Sequence, residues 1–323
     1  MRVVTSPSAT RHVPAAEIWL GMRTPGTEVP GRVAAIEDAL ADWPRIVATP
    51  HDDAVLLAVH DPRLVEHLRT IWSRWGEYGA DRVVPYLFPT QGLLGDLPLR
   101  EPTAPHAAAG RYCYDTMTLV GPGTWEAARG AADVALTCAD EVGDGLIYGL
   151  TRPPGHHVTR TAYGGSCYLN TAALAAEALR RAGHERVAVI DIDAHHGNGT
   201  QDVFYARGDV LYASVHVDPA AGWFPHFAGF ADETGMGDGA GANVNVPLSP
   251  GTGDGPWIDA VRRLADAASA FGASALVVSL GVDAAADDPE SPLEVTLDGF
   301  RTAGEALGGL GLPTVALQEG GYH

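Results

Sequence analysis

Four short apolar runs, at 145–150, 186–191, 275–280 and 313–317, each break off into polar or glycine-rich sequence. Runs of this length and apolarity, bounded by turn residues, predict strands buried on both faces. Before and between them, alanine and leucine return at helical spacing over 124–141, 171–182, 257–271 and 297–307, which predicts amphipathic helices. Strand and helix in alternation predict a mostly parallel β-sheet flanked by helices on both faces, an α/β fold. There is no internal repeat and no linker-like tract, so residues 1–323 read as a single domain. The segment 76–111, with Pro85, Pro89, Pro98, Pro102 and Pro105, reads as a long loop region of the kind that shapes a site entrance.

In an open parallel sheet, ligands sit beyond the carboxyl ends of the strands. All four predicted strands end in unusual residues, which are therefore expected to converge. After the first comes Arg152-Pro-Pro-Gly-His156-His157, where a loop lets two imidazoles reach one cleft. After the second comes Asp191-Ile-Asp193-Ala-His195-His-Gly-Asn198-Gly-Thr-Gln201. In extended backbone, Asp191, Asp193 and His195 point the same way, so an aspartate and a histidine are offered together to one ion. Such a set suits zinc or another borderline divalent cation, and without thiolate it leaves coordination positions for water and substrate. The third strand runs into Gly281-Val-Asp283, which supplies a further carboxylate. The fourth runs into Gln318-Glu-Gly-Gly-Tyr322, whose phenol could donate to an oxyanion.

Composition narrows the chemistry. The 323 residues carry 21 basic and 40 acidic side chains, a net charge of −19, which argues against nucleic acid and anionic membranes as partners. Every basic residue is arginine, which removes Schiff-base lysines and the phosphate-loop lysine. Cys113, Cys138 and Cys167 share no Cys-x-x-Cys spacing and read as buried thiols in a reducing compartment. With no signal-like N-terminus and no apolar stretch of about 18 residues, the expectation is a cytoplasmic protein.

Taken together, Arg-Pro-Pro-Gly-His156-His157, Gly-Gly-Ser-Cys-Tyr-Leu-Asn170, Asp191-Ile-Asp-Ala-His-His-Gly-Asn-Gly-Thr-Gln201, Gly281-Val-Asp283 and Glu319-Gly-Gly-Tyr322 resemble the histone deacetylase and acetylpolyamine amidohydrolase superfamily, in order and in spacing. The likeness begins near Glu28 and runs to the end of the chain. It implies an arginase/deacetylase-like fold and one zinc ion held by Asp193, His195 and Asp283. It makes His157 the general base, His156 its charged partner and Tyr322 the oxyanion donor. Asp191 is implied to hold His156, and Asn198 to meet His157. Asparagine at position 198 is similar to the amidohydrolase-like and class II branch, and a neutral partner should leave His157 less basic than a carboxylate would. A structural potassium ion is implied near Asp191, Asp193 and Ser214.

The stretch from Asp218 to Glu233 is similar to the acetylpolyamine amidohydrolase branch. There Phe224 matches one aromatic wall of the substrate tunnel. The facing wall is Ser166 where most relatives carry an aromatic, so that side is open unless Trp223 or Tyr168 refills it. Asp115 matches an acidic substrate contact at the rim. The resemblance thus implies a zinc-dependent deacetylase of acetylated primary amines, with a small cationic acetylated amine, most of all an acetylpolyamine, as substrate and acetate as coproduct. Rival readings are a protein acetyl-lysine deacetylase, a deacetylase of another small acetylated amine, and a metal-binding module without activity. The 76–111 segment corresponds to a loop that in polyamine enzymes makes dimer contacts, implying a homodimer. Relatives continue with a closing helix beyond Tyr322, so either the C-terminal end at His323 is truncated or the last strand frays there.

Overall fold

The computed structural model describes residues 1–14, 16–78 and 81–323. Its strands are β1 (Arg2–Thr5), β2 (Glu17–Trp19), β3 (Met22–Thr24), β4 (Arg45–Val47), β5 (Leu146–Gly149), β6 (Val187–Asp191), β7 (Val210–Val217), β8 (Asn243–Leu248), β9 (Ala275–Leu280) and β10 (Thr314–Gln318). Eight of them form one sheet in the order β4-β1-β5-β10-β9-β6-β7-β8, parallel throughout, while β2 and β3 make a separate antiparallel hairpin. The protein is one α/β domain with the expected sheet.

Burial on both faces follows from the pleat. Along β6, Val187 and Val189 join an apolar cluster with Ala132 and Leu136 of helix Thr124–Glu141 and Leu174 of helix Thr171–Arg181. Ala188 and Ile190 face the other way, toward Trp257 and Leu264 of helix Asp254–Phe271 and Ala303 of helix Leu297–Gly308. Helix Asp254–Phe271 ends at Gly272, whose φ of 74° suits a residue without a Cβ.

One expectation needs correction. The region 76–111 is not a continuous loop: it holds the short helices Gln91–Leu94 and Pro105–Tyr112, with residues 79 and 80 outside the described part. Pro105 occupies the first turn of its helix, where a missing N–H costs nothing, so the proline marks a start and not a break. Strands β7 and β8 also extend the sheet beyond the four runs read from hydrophobicity. Among the described residues, no helix is long and apolar enough to cross a membrane.

Several imidazoles are built into this core. His60 Nε2 accepts from Asn170 N at 3.0 Å, and its Nδ1 donates to the Thr159 carbonyl at 3.1 Å, a neutral arrangement. Burial pushes His12, His60 and His216 down to about 4. An unfolded chain takes up these protons near pH 6.5, so between there and about 4 the unfolded state binds more protons and stability falls as the pH falls. At about 1.4 kcal/mol per pKa unit, thermal unfolding at pH 5 should begin well below its temperature at pH 7.5. A melting temperature that stays level across that range would refute the buried neutral state.

Candidate metal centre and catalytic cleft

The four central neighbours of the sheet are β5, β10, β9 and β6. They are the four strands whose ends carry the unusual residues, so the parallel register delivers all four segments to one edge. Asp193 and His195 follow β6, Asp283 follows β9, and one ligand atom from each lies within 4.8 Å of the others. His195 Nδ1 stands 2.9 Å from Asp283 Oδ2 and 3.3 Å from Asp193 Oδ1. Both carboxylates are fully buried. Burial works against charge on His195, but the two carboxylates outweigh it and bring the imidazole up to about 10. Asp283 is pushed up to about 7 by burial and then by the charge of Asp193. Once His195 gives up its proton to act as a ligand, the two buried carboxylates leave a charge of −2, which a divalent cation balances.

The backbone around the set leaves no slack. Gly320 N donates to Asp193 Oδ2 at 2.8 Å, and Ala194 N donates to Asp283 Oδ1 at 2.8 Å. A Cβ on Gly281 would overlap Asp193 Oδ2, and one on Gly320 would overlap both carboxylates, so glycine is required at each by close approach. A second convergence, His156 with Cys167 and Glu319, is closed and already satisfied on one side. There Glu319 Oε2 accepts from Gly155 N at 2.7 Å and His156 N at 3.2 Å. Only the first set opens, through His195, onto a cleft of about 560 Å³ that His157, Ser166, Trp223, Phe224 and Tyr322 also line.

The paired histidines differ in environment. His156 Nδ1 donates to Asp191 Oδ2 at 3.0 Å, and although burial opposes it, Asp191 and Asp193 hold the ring well above its ordinary value. Asp191 itself is fixed by the Tyr212 hydroxyl at 3.1 Å. His157 Nδ1 donates to Asn198 Oδ1 at 2.8 Å, which leaves Nε2 free to accept a proton. Burial, then the charges of His156 and His195, pushes His157 well below its ordinary value. The two rings, with centroids 4.0 Å apart, therefore sit side by side as a cation and a neutral base.

Tyr322 reaches the same cleft from the segment after β10. Its N–H donates to Asp288 Oδ2 at 2.6 Å, and the Arg32 guanidinium lies 4.8 Å above its ring. Burial raises the phenol well above its ordinary value, so the hydroxyl keeps its proton. Arg32 also donates to the Gly321 carbonyl at 2.6 Å, and Glu28 ties it to the buried Arg152. Glu28, Arg32 and Asp288 escaped sequence reasoning as site residues, because the contacts that tie Arg32 and Asp288 to the Tyr322 segment span 289 and 34 positions along the chain. The one available signal was Glu28 four residues before Arg32, a common surface pattern.

Phe224 stands against His157, centroids 4.9 Å apart and nearly perpendicular, as a cleft wall. Ser166 lines the facing side with φ of 60°. Tyr168 does not fill the space beside it: its ring is buried and its hydroxyl donates to the Leu119 carbonyl at 2.7 Å. Trp223 does enter the cleft, stacked 6.4 Å from His195. Asp115 departs from the role expected for it. It borders a neighbouring groove, but its carboxylate accepts from Met117 N, Thr118 N, Thr118 Oγ1 and Gly165 N at 2.9, 2.8, 3.0 and 2.6 Å. Those four donors turn its charge inward, where it fixes the loop carrying Ser166. Ser214 lies beside Asp191 in the β6–β7 register, its Oγ 2.8 Å from His216 Nδ1.

The family profile described as "Histone deacetylase domain" matches residues 27–323. The acetylpolyamine amidohydrolase of Mycoplana ramosa is 39% identical over 329 aligned positions, covering 100% of this chain and 95% of that protein. That of Burkholderia pseudomallei (strain 1710b) is 42% identical, covering 98% and 92%. The crystal structure of acetylpolyamine aminohydrolase from Burkholderia pseudomallei superposes with a TM-score of 0.91 at 41% identity, over 99% of this chain and 94% of that one. With a matching profile over nearly its whole length and relatives alike from end to end, the chain belongs to the histone deacetylase family.

Proposed function

We propose that this protein is a zinc-dependent amidohydrolase that removes the acetyl group from acetylated primary amines, acetylpolyamines first among them. The observation that carries the proposal is the convergence of Asp193, His195 and Asp283 with His156, His157 and Tyr322 on one cleft. A zinc ion held by the two aspartates and His195 would polarise the acetyl carbonyl and lower the pKa of water beside it. His157, neutral and with Nε2 free, takes the proton of the attacking water. His156, charged and backed by Asp191, stabilises the negative charge that builds up beside it. The Tyr322 hydroxyl donates to the oxyanion. The proton collected on His157 then passes to the departing amine, leaving acetate.

The relatives named acetylpolyamine amidohydrolase support the choice of substrate. A potassium ion near Asp191, Asp193 and Ser214 is kept in the proposal, supported by the register that sets Asp191 beside Ser214. A homodimer through the 76–111 segment is kept too, supported by the exposed side chains of Tyr86, Leu93 and Leu97. The test is acetate release by the zinc-loaded protein from N-acetylputrescine and from an acetyl-lysine peptide. The expected result is a higher kcat/KM for N-acetylputrescine; a strong preference for the peptide would move the protein to the protein-deacetylase reading.

A further inference from the structure

The two sides of the catalytic cleft are built unequally. On one side Phe224 stands 4.9 Å from the His157 ring, and Phe224 and Trp223 both flank His195, with centroids 6.5 and 6.4 Å away. On the facing side the cleft is bordered by Gly165, Ser166 and Met117. Among the described residues, the rings packed on His157 belong to His156, His195 and Phe224, so no second plate answers Phe224 across the base. Tyr168, two residues on, turns its ring into the core, where it stacks on Tyr163 at 5.8 Å.

The small wall is also fixed. Gly165 and Ser166 both have left-handed backbone, with φ of 58° and 60°. A Cβ on Gly165 would overlap the His157 ring, so the loop lies directly against the base. Gly165 N donates to Asp115 Oδ2 at 2.6 Å and Ser166 N to Thr118 Oγ1 at 2.8 Å, while Thr118 Oγ1 donates in turn to Asp115 Oδ2 at 3.0 Å. These three bonds hold the loop in place and keep it from closing over the space beside Ser166. Asp115 thereby gains a use: it keeps a small residue at a fixed distance from the base.

A linear arm leaving the acetylated nitrogen has Phe224 on one side and a gap on the other. Such a gap forfeits the dispersion contacts of one face, and a methyl-sized branch on the first carbon of the arm recovers them. The branch has one direction open to it, because Phe224 closes the other. We infer that Ser166 is a specificity-determining residue that admits acetylated amines branched at the carbon bearing the nitrogen, and that it admits one enantiomer of them. The inference rests on the deacetylase reading above and widens its range of amines.

The test gives the zinc-loaded full chain N-acetylputrescine and the two enantiomers of N-(5-aminopentan-2-yl)acetamide, the same arm with a methyl on its first carbon. The wild type should prefer one enantiomer over the other by at least about tenfold in kcat/KM, the low end of what one such group is worth in a shaped pocket. Ser166→Phe and Ser166→Asn, which fill the gap, should each lower the ratio of the favoured enantiomer to N-acetylputrescine about tenfold. Ser166→Ala, which leaves the gap open, should keep that ratio. Asparagine tolerates left-handed backbone better than phenylalanine does, so it carries the test if the larger ring prevents folding. Because each ratio is taken within one preparation, loss of folded protein does not move it. Equal use of the enantiomers by the wild type, or use of neither beside rapid use of N-acetylputrescine, would overturn the role of Ser166 and leave the deacetylase reading standing. So would a ratio retained in both larger variants, or a fall of the same size in the alanine variant. Should the wild type hydrolyse none of the three, the deacetylase reading falls, and calorimetry of the same amides decides the role of Ser166. That role then requires one enantiomer to bind about tenfold more tightly than the other, and equal or absent binding overturns it.

Discussion

Asp193→Ala is expected to strip the protein of its zinc and of its turnover together. Asp193 contributes one of three converging ligand atoms, and its carboxylate also accepts from His195 N at 2.9 Å and Gly320 N at 2.8 Å. Its loss removes a ligand and frees the two strands' ends from each other. Even the groups that merely orient metal ligands are worth about 10- to 100-fold in metal affinity, so a ligand should be worth more. Asp193→Asn separates the two effects, since it keeps the shape and loses the charge. Elemental analysis after dialysis should find the alanine variant essentially free of zinc, with acetate release near background. Full zinc occupancy in that variant would sink the ligand set.

Tyr322→Phe is expected to retain zinc and to lower kcat by about 10² to 10³, the range for one oxyanion donor in a buried site. The ring is gripped by its backbone and from above, through Asp288 and Arg32, and neither contact uses the hydroxyl. Phenylalanine should therefore sit in the same place, and KM should change much less than kcat, since the lost bond forms mainly as charge develops on the acetyl oxygen. Near-normal turnover with bound zinc would remove Tyr322 from the chemistry.

What could be read from sequence was set by chain locality. The runs at 146–149, 187–191, 275–280 and 314–318 were visible because each is apolar on both faces, as the interior of a parallel sheet demands. Strand β7 is as deeply buried, but Ser214 and His216 interrupt its apolar pattern because they serve a polar network beneath the site. Strand β1 is too short to signal itself. Within the site, the histidines and aspartates were legible as motif residues whose chemistry is unusual at strand ends. Asp115 was misread because the motif gives a residue's place and not its partners: Met117 and Thr118 donate from the turn that follows it, and Gly165 N joins them only when the loop at 165–166 folds back.

The central order β5-β10-β9-β6 has a kinetic consequence. β10 pairs with β5 from 168 positions further along the chain, as in Thr314 beside Leu146. Pairings of such long range lie late on a folding route, because the loop must close before any contact rewards it. The three candidate ligands follow β6 and β9, which pair with each other without β10, so the last strand to dock adds the Gly320 N–H that steadies Asp193 and brings the phenol: a chain stalled short of that docking can gather its ligands yet has no Tyr322 in reach of them.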